Sequence, residues 1–371
     1  NQALVTNGSG TLSFADSAER LRPSVYPIII NGDMMISQRA ESKTGMGNTD
    51  GVYPTVDRYR HSITNAGGAG RFTSTHEAVN DIAGFTESLN INCTTADTSI
   101  AAGEEFHIDQ KIEGRSVQAF QKGFSTALGF TVAFYLKAQD AKVYAVELKD
   151  TDNNRHCTKL FTSTTGWTRH VLNYPADTSG KFVGDSNTSL EVKLWLHAGS
   201  NFTSGTLPSS WQGVTTANTC PGIGSVYDNT DNFVSITGLQ LEVGTYTTST
   251  IPDFQFESEG ENFYRCQRYY QNQGANFYGL TEGTNFFRMQ VPFDRPMRVA
   301  PSVTARGTGF KFNARYLGDH TTDNPTIASA ASTTFGVWLG VSGSSLTNNI
   351  TIYGRSQQDA AGQFLALAAE L

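Results

Sequence analysis

The sequence predicts an all-β protein, and three observations support this fold class. Short segments in which apolar and polar residues alternate recur along most of the chain, as in Thr131–Ala138. Polar stretches rich in Gly, Asn, Asp and Ser separate these segments and predict turns. Charged residues make up only 16% of the 371 residues and aromatic residues 11%, a composition that suits half-buried pleated surfaces rather than helices.

The first elements of the chain are an arm and an interrupted strand. Residues 1–25 are polar and predict a linker or an N-terminal arm. The apolar triplet Ile28–Ile30 follows, then Asn31-Gly32, then a second apolar run from Met34. Asn-Gly between apolar residues is typical of a tight turn, and Gly32 would also let a strand bend or bulge. We therefore expect this segment to form the first strand of the fold, interrupted at Asn31-Gly32.

Residues 26–250 carry the clearest strand patterns. In Thr131–Ala138 the even-numbered apolar side chains face one way, and Tyr135 and Lys137 face the other. In Leu190–Gly199 four aliphatic residues form one face, and Lys193, Trp195 and His197 belong to the other. An apolar inner face and a polar outer face predict antiparallel sheets packed as a β-sandwich.

One segment departs from the strand pattern. Phe256–Gln271 offers Ser258 as an N-cap and Glu261 three residues later, which is a capping box, and apolar residues then follow at helical spacing. We expect a short helix in a linker of residues 251–272. From residue 273 to 371 the chain returns to strand patterns and predicts a second, C-terminal β domain.

Charge and cysteine content exclude several function classes. With 27 Lys and Arg against 34 Asp and Glu, the net charge is −7, and no basic run is present. This balance argues against binding of nucleic acid. No stretch is long and apolar enough to insert into a membrane. The four cysteines are scattered without paired spacing, which argues against zinc and favours buried free thiols over two long-range disulfides.

The sequence contains no catalytic motif that we could identify, so we expect a protein that is not an enzyme and needs no cofactor. Glycosidase chemistry needs only two carboxylates, and the candidates by residue type alone are Glu104, Glu105, Glu113 and Glu242. A structural calcium ion is a further hypothesis. Its ligands would come from the oxygen-rich loops that hold Asp150, Asp152, Asp228 and Asp231, although Asx-rich turns look the same without a metal.

Outward-facing aromatic side chains are the candidates for sugar contacts, because flat rings stack on the C–H faces of sugars. We predict Trp195 as the main contact, with Lys193 and His197 on the same side and with Tyr135 sharing that face if the two strands are neighbours. A subunit interface would explain the same pattern. Trp211, in a Pro- and Ser-rich loop, is either a lid on the core or a second ligand contact. Trp167 begins an apolar strand, and we expect it in the core.

Several motifs, taken in order, resemble those of bacteriophage tail-fibre and appendage proteins. They are "IIINGDMMISQR" and "YPTVDRYR" near the start, "IDQKIEG" at residues 108–114, "GLQLEVG" leading to "RCQRYYQ", and "PMRVAPSVT" with the terminal "AEL". The resemblance covers roughly residues 26–371. It implies a jelly-roll sandwich similar to carbohydrate-binding modules, followed by a short helix and a C-terminal β domain.

The resemblance also implies a function. It predicts a virion protein, a tail-fibre or spike component that assembles as a homotrimer and recognises host surface polysaccharide without cleaving it. The N-terminal arm would contact other virion proteins. A head fibre or capsid-decorating protein, a polysaccharide depolymerase and a cellular glycan-binding lectin remain alternatives.

Overall fold

The computed structural model describes most of the chain. The described residues are 2–6, 10, 12–16, 26–48, 51–64, 68–273, 276–281, 286–306, 310–314, 318–322, 327–332, 336–342, 351–356 and 365–371. They divide into two compact units, Asn1–Ser258 and Glu259–Leu371. Almost all of the regular structure is β-strand, as the sequence predicts, and all of the strand pairs within the sheets are antiparallel.

Two six-stranded sheets form the body of the first unit. Sheet 1 contains, in spatial order, β13 (Gln212–Gly213), β10 (Arg155–Thr162), β9 (Val143–Asp150), β12 (Thr188–Ala198), β7 (Glu105–Glu113) and β4 (Arg60–Thr64). Sheet 2 contains β11 (Thr168–Tyr174), β8 (Phe130–Ala138), β14 (Phe233–Val243), β6 (Glu87–Thr95), β5 (Arg71–Ala78) and β3 (Ser42–Met46). The chain passes repeatedly from one sheet to the other, which is the connectivity of a jelly-roll sandwich.

The core of this unit lies between the two sheets. Alternate side chains of β8 (Val132, Phe134 and Leu136) and of β12 (Leu190 to Leu196) are buried there, as their period of two predicts. Because strand residues point alternately to the two faces of a sheet, the intervening residues of β8 and β12 lie on the outer faces. The all-β prediction is therefore confirmed. The residues of β8 and β12 that the sequence predicts to face the core do face it.

The segment Ile28–Ser37 is not a strand, so the prediction of an interrupted first strand is wrong. Asn31 has a φ of 59° and its side chain bonds to both the N–H and the carbonyl of Ile36 at 2.9 Å. The Asn31 amide thus replaces a strand partner and folds the segment into turns. The Met run belongs to these turns, and Met34 also has a positive φ.

The same segment lies between the two sheets and bonds to both. The side-chain amide of Gln110, in β7, accepts from Ile30 N at 2.8 Å and donates to Ile30 O at 2.9 Å. On the other side, Leu239 N, in β14, donates to Gly32 O at 2.8 Å. We call residues Ile30–Ile36 the bridging segment. Gly32 is needed for close approach, since a Cβ there would lie 2.3 Å from Leu239 O.

The predicted N-terminal arm contains regular structure. Strands β1 (Gln2–Thr6) and β2 (Leu12–Asp16) form an antiparallel pair. Leu4, Leu12 and Phe14 lie within these strands, which shows that the polar composition of residues 1–25 conceals two short strand patterns. The proposed anchoring role of this arm remains a prediction.

The second unit begins with the predicted helix. The helix (Glu259–Gln267) is shorter than the predicted segment, because Tyr270 starts strand β15 (Tyr270–Gln273). A three-stranded sheet contains β15, β24 (Leu365–Ala368) and β18 (Ser302–Ala305). A seven-stranded sheet contains β20 (Gly318–Thr322), β19 (Phe310–Ala314), β23 (Thr351–Ser356), β16 (Asn276–Thr281), β17 (Phe286–Pro292), β22 (Gly336–Ser342) and β21 (Ile327–Ser332). These sheets fit the second β domain that the sequence predicts.

Two further features concern the cysteines and the possibility of a membrane span. All four cysteines are buried free thiols, as expected. Within the described ranges, no helix has the length and apolar character that a membrane span requires.

Substitution of Gly32 tests the bridging segment. We expect Gly32→Ala to lower the free energy of unfolding by about 1–3 kcal/mol, because the added methyl must displace the backbone of β14. Gly213→Ala is the matched control, since a Cβ at Gly213 meets nothing within 4 Å. Urea unfolding measures both. An equal, small effect of the two substitutions would contradict the proposed close contact.

Candidate functional site

An open groove of about 440 Å³ lies on the outer face of sheet 2. Its floor consists of outward-facing residues of β8, β14 and β6, and its wall is the loop between β5 and β6. Residue Trp167, directly before β11, stands at one side. The lining residues are Glu77, Ala78, Val79, Asn80, Asp81, Asn90, Asn92, Lys137, Trp167, Phe233 and Ser235.

Asp81 holds Trp167 and Lys137 in place. Its Oδ1 accepts the indole N–H of Trp167 at 2.7 Å, and its Oδ2 accepts from Lys137 Nζ at 2.6 Å. The hydrogen bond from Lys137, followed by that from Trp167, lowers the pKa of Asp81 below its ordinary value. The half-buried indole ring is therefore oriented by its polar edge, and its flat face is not needed for this contact.

The floor of the groove presents neutral hydrogen-bonding groups and a second ring. Ser235 lies between Lys137 and Asn90 in the sheet register, and Asn90 Nδ2 donates to Ser235 Oγ at 2.8 Å. Asn92 is exposed and lies opposite Phe233. Among the described residues, no aromatic ring contacts Trp167 or Phe233, although most aromatic side chains in this unit pack against another ring. The groove thus combines two rings without ring partners with hydroxyl and amide groups.

Comparisons with known proteins give fold-level similarity. No protein-family model matches the chain, and no curated protein is significantly similar to it. Among solved structures, the chain is similar to a family 4 carbohydrate-binding module (CBM4), at 10% identity over 57% of this chain and 97% of that one, with a TM-score of 0.30. A putative sugar-binding protein from Bacteroides thetaiotaomicron is 13% identical over 59% and 100%, with a TM-score of 0.30. The enzymatically active domain of bacteriophage CBA120 tailspike protein 4 is 9% identical over 58% and 21%, with a TM-score of 0.27.

An aromatic cluster borders the groove along β8. Phe85 packs against Tyr135 at 5.3 Å, Phe254 at 5.1 Å and Phe256 at 5.1 Å between ring centroids. Tyr135 lies two residues before Lys137 on the same outer face, and the guanidinium of Arg169 lies 5.7 Å from its ring centroid. Tyr135 is half-buried and is not among the residues that line the groove.

The sequence predicts Trp195 as an exposed ligand contact, but the side chain is buried in the structure. Trp195 does lie on the outer face of sheet 1, but only 2% of it is exposed. Phe202 and Cys220, from the segment between β12 and β14, cover the indole together with Leu160. Tyr135 belongs to sheet 2, so the predicted pairing of Trp195 and Tyr135 on one face is also wrong.

Lys193 is also buried and belongs to a paired charge network around Trp195. Lys193 Nζ lies 3.0 Å from Glu191 Oε2, and the Trp195 indole donates to Glu147 Oε2 at 3.0 Å. Burial opposes ionisation of Glu147, but the hydrogen bond from His156 and the charge of Lys193 lower its pKa to about 2. These polar groups satisfy one another, which argues against a role for Lys193 in ligand binding.

His197 and Trp211 are buried as well. A register shift between Trp195 and His197 places His197 opposite Phe106, where its ring nitrogens face Ser225 Oγ at 2.8 Å and Glu104 Oε2 at 3.2 Å. Trp211 donates its indole N–H to Pro175 O at 2.9 Å and packs on Phe130. Of the two alternatives for Trp211, the structure therefore supports the lid on the core.

At Asp150, where the calcium hypothesis places a metal ion, the cation is the ammonium group of Lys122. The fully buried Lys122 Nζ contacts Asp150 Oδ2 at 2.5 Å and Asp177 Oδ2 at 3.1 Å, and donates to the carbonyls of Ser179 and Gly180 at 2.9 Å. This is an oxygen cage filled by an ammonium group. Within the described ranges, no group of three or more His, Cys, Asp or Glu side chains is placed to hold a metal ion.

The other predicted metal ligands have separate roles in loops. Asp152 Oδ2 accepts from Val183 N at 2.8 Å, and Asp228 accepts from Lys142 and Asn232. The backbone N–H of Asp231 donates to Asn229 Oδ1 at 3.0 Å. They are Asx-rich turns, which is the alternative that the sequence left open.

The four candidate glutamates are spread over the first unit and do not line the groove. Glu104 contacts His197, and Glu105 accepts from Thr64 Oγ1 at 3.2 Å. Glu113 ends β7 in sheet 1, whereas Glu242 lies in sheet 2 and accepts from Gln240 at 3.2 Å.

The prediction that Trp167 lies in the core is wrong, because Trp167 lines the groove on the outer face of sheet 2. Sequence reasoning also missed Phe233, Asn90, Asn92 and Asp81. One signal was present: Trp167 shares its parity with Arg169, Val171 and Asn173, and these residues alternate with the inward-facing His170 and Leu172. That parity places Trp167 outside the core. No local signal shows that the loop containing Asp81 comes to Trp167, 86 residues away in sequence.

Replacement of Lys122 tests the cation cage. We expect Lys122→Met to lower the free energy of unfolding by about 3–5 kcal/mol, because it leaves the buried carboxylate of Asp150 without its cation, whereas Asp177 keeps Arg155 at 2.8 Å. The control Lys181→Met, at an ammonium 4.2 Å from the ring centroid of Phe124, should change it by no more than about 1 kcal/mol. Chemical denaturation measures both variants, and a chelator should leave the wild-type melting temperature unchanged. A wild-type protein that a chelator destabilises would contradict this assignment.

Proposed function

We propose that the first unit binds a host-surface glycan in the groove on the outer face of sheet 2. The observation that carries this proposal is that one groove contains two rings without ring partners, Trp167 and Phe233, together with neutral amide and hydroxyl groups. Sugar rings present apolar C–H faces and a rim of hydroxyls, so they need flat rings and groups that both donate and accept hydrogen bonds.

Binding without cleavage fits the chemistry of the groove. A glycosidase needs a general acid whose pKa is raised, paired with a second carboxylate. Both oxygens of Asp81 already accept hydrogen bonds, and its pKa is lowered rather than raised. Asp81 is therefore a positioning group for Trp167 and Lys137.

The biological setting that we propose is the virion of a tailed bacteriophage, with the chain as a tail-fibre or spike component. The support is the order of sequence motifs that resemble phage appendage proteins. These motifs also coincide in space: "IIINGD" contacts Gln110 of "IDQKIEG" and Leu239 of "GLQLEVG". A head fibre would show the same contacts, and the position of the chain on the particle distinguishes the two.

Truncation of Trp167 tests glycan binding. We expect Trp167→Ala to weaken binding to host cells or their purified polysaccharide by roughly 10- to 100-fold, by analogy with the ~1–3 kcal/mol of a stacked nucleic-acid base. Trp167→Phe keeps a ring but loses the bond to Asp81, so its loss should be smaller. Phe124→Ala removes an exposed ring outside the groove and serves as the control.

The readouts are equilibrium binding, thermal unfolding to confirm the fold, and the release of reducing ends from the polysaccharide. Unchanged binding by folded Trp167→Ala would exclude the groove as the site. Release of oligosaccharides by the wild-type chain would show that it cleaves the polysaccharide, which would contradict binding without cleavage and favour the depolymerase alternative.

Assembly provides a separate prediction. We expect light scattering of the purified chain to give three times its 40.2 kDa mass, and antibodies against it to label phage appendages in electron micrographs. A 40.2 kDa species at micromolar concentration would contradict the trimer, and labelling of the capsid surface would favour the head-fibre alternative.

A further inference from the structure

Beyond glycan binding as such, the groove has properties that select a class of glycan. Its titratable lining residues within the described chain are Glu77, Asp81 and Lys137. Lys137 lies 2.6 Å from Asp81, so its charge is already compensated. Glu77 is exposed and lines the same groove, so these three side chains together carry a net negative charge.

This charge balance disfavours acidic sugars. A carboxylate, sulfate or phosphate on a ligand is normally bound by Arg or Lys in a charge-assisted hydrogen bond. The groove can offer such a bond only by breaking the pair of Lys137 and Asp81. An anionic ligand would also meet Glu77 and Asp81 at close range.

The remaining polar groups suit uncharged hydroxyls. The amides of Asn80, Asn90 and Asn92 each contain a donor and an acceptor, and so does the hydroxyl of Ser235. The bond from Asn90 Nδ2 to Ser235 Oγ orients the Asn90 amide and fixes part of this arrangement before any ligand binds.

The two rings belong to different segments of the chain and to different positions along the groove. Trp167 is adjacent in register to Lys137, which lies opposite Ser235, and Phe233 is two residues further along β14. With strands about 4.8 Å apart and about 3.4 Å per residue, their Cα atoms are separated by roughly 12 Å. This spacing of the two backbone positions suits a ligand of more than one sugar ring.

We propose that the groove selects uncharged oligosaccharides of more than one sugar ring over acidic ones. This inference rests on the glycan-binding function proposed above. It names the class of ligand for the same site.

The test uses the full chain and calorimetric titration with defined probes. These are neutral hexasaccharides of glucose, galactose, mannose and N-acetylglucosamine, the corresponding monosaccharides, and hexasaccharides of guluronic and galacturonic acid. We expect at least one neutral hexasaccharide to bind about tenfold or more tighter than either acidic one, because the latter meet uncompensated negative charge. We also expect it to bind tighter than its own monosaccharide.

Variants connect the result to the residues. Glu77→Gln should narrow the difference in affinity between neutral and acidic hexasaccharides, whereas Glu105→Gln, on sheet 1, should leave that difference unchanged. Phe233→Ala should weaken binding of the hexasaccharide more than binding of the monosaccharide. Tighter or equal binding of an acidic hexasaccharide would overturn the selectivity while leaving glycan binding intact. Binding of no sugar in either class would overturn the proposed function itself.

Discussion

The two-sided hydrogen bonding of the bridging segment is the constraint on which the sandwich depends. On one side, both backbone groups of Ile30 are paired with the amide of Gln110 in sheet 1. On the other, Gly32 O accepts from Leu239 in sheet 2. Buried backbone groups need such partners, so this irregular segment can lie between the sheets only because both sheets supply them. The spacing of β7 and β14, and hence of the core between them, is tied to this segment.

The groove depends on the same strand that receives the bridging segment. Gly238, directly before Leu239, has a φ of 63° and lies at a register shift between β14 and β8. A Cβ there would lie 2.8 Å from the ring of Phe85, so the bulge makes room for that ring. Phe85 anchors the loop that carries Asp81, and Asp81 orients Trp167. A chain of contacts thus connects the interior of the sandwich to the site on its surface.

The two outer faces of the sandwich show why an outward-facing ring is not by itself a binding site. Trp195 and Trp167 both point away from the core, yet Trp195 is covered by the segment that follows β12. Around Trp195 the charged residues are paired and buried, as with Glu147 and His156 at 2.8 Å. At Trp167 the corresponding loop forms a wall beside the ring and leaves a groove open. The difference lies in what the connecting segments cover.

The sequence by itself determined the fold class, the inward faces of β8 and β12 and the presence of a helix within Phe256–Gln271, because these follow from periodicities of two and 3.6 residues that the local backbone imposes. It did not determine that β8 and β12 lie in different sheets, which separated Tyr135 from Trp195. Nor did it show that Lys122 would fill the cage of Asp150 and Asp177. Only the tertiary structure decided these points, since strand partners, loop cover and buried ion pairs join residues far apart in the chain, and no local pattern encodes those distances.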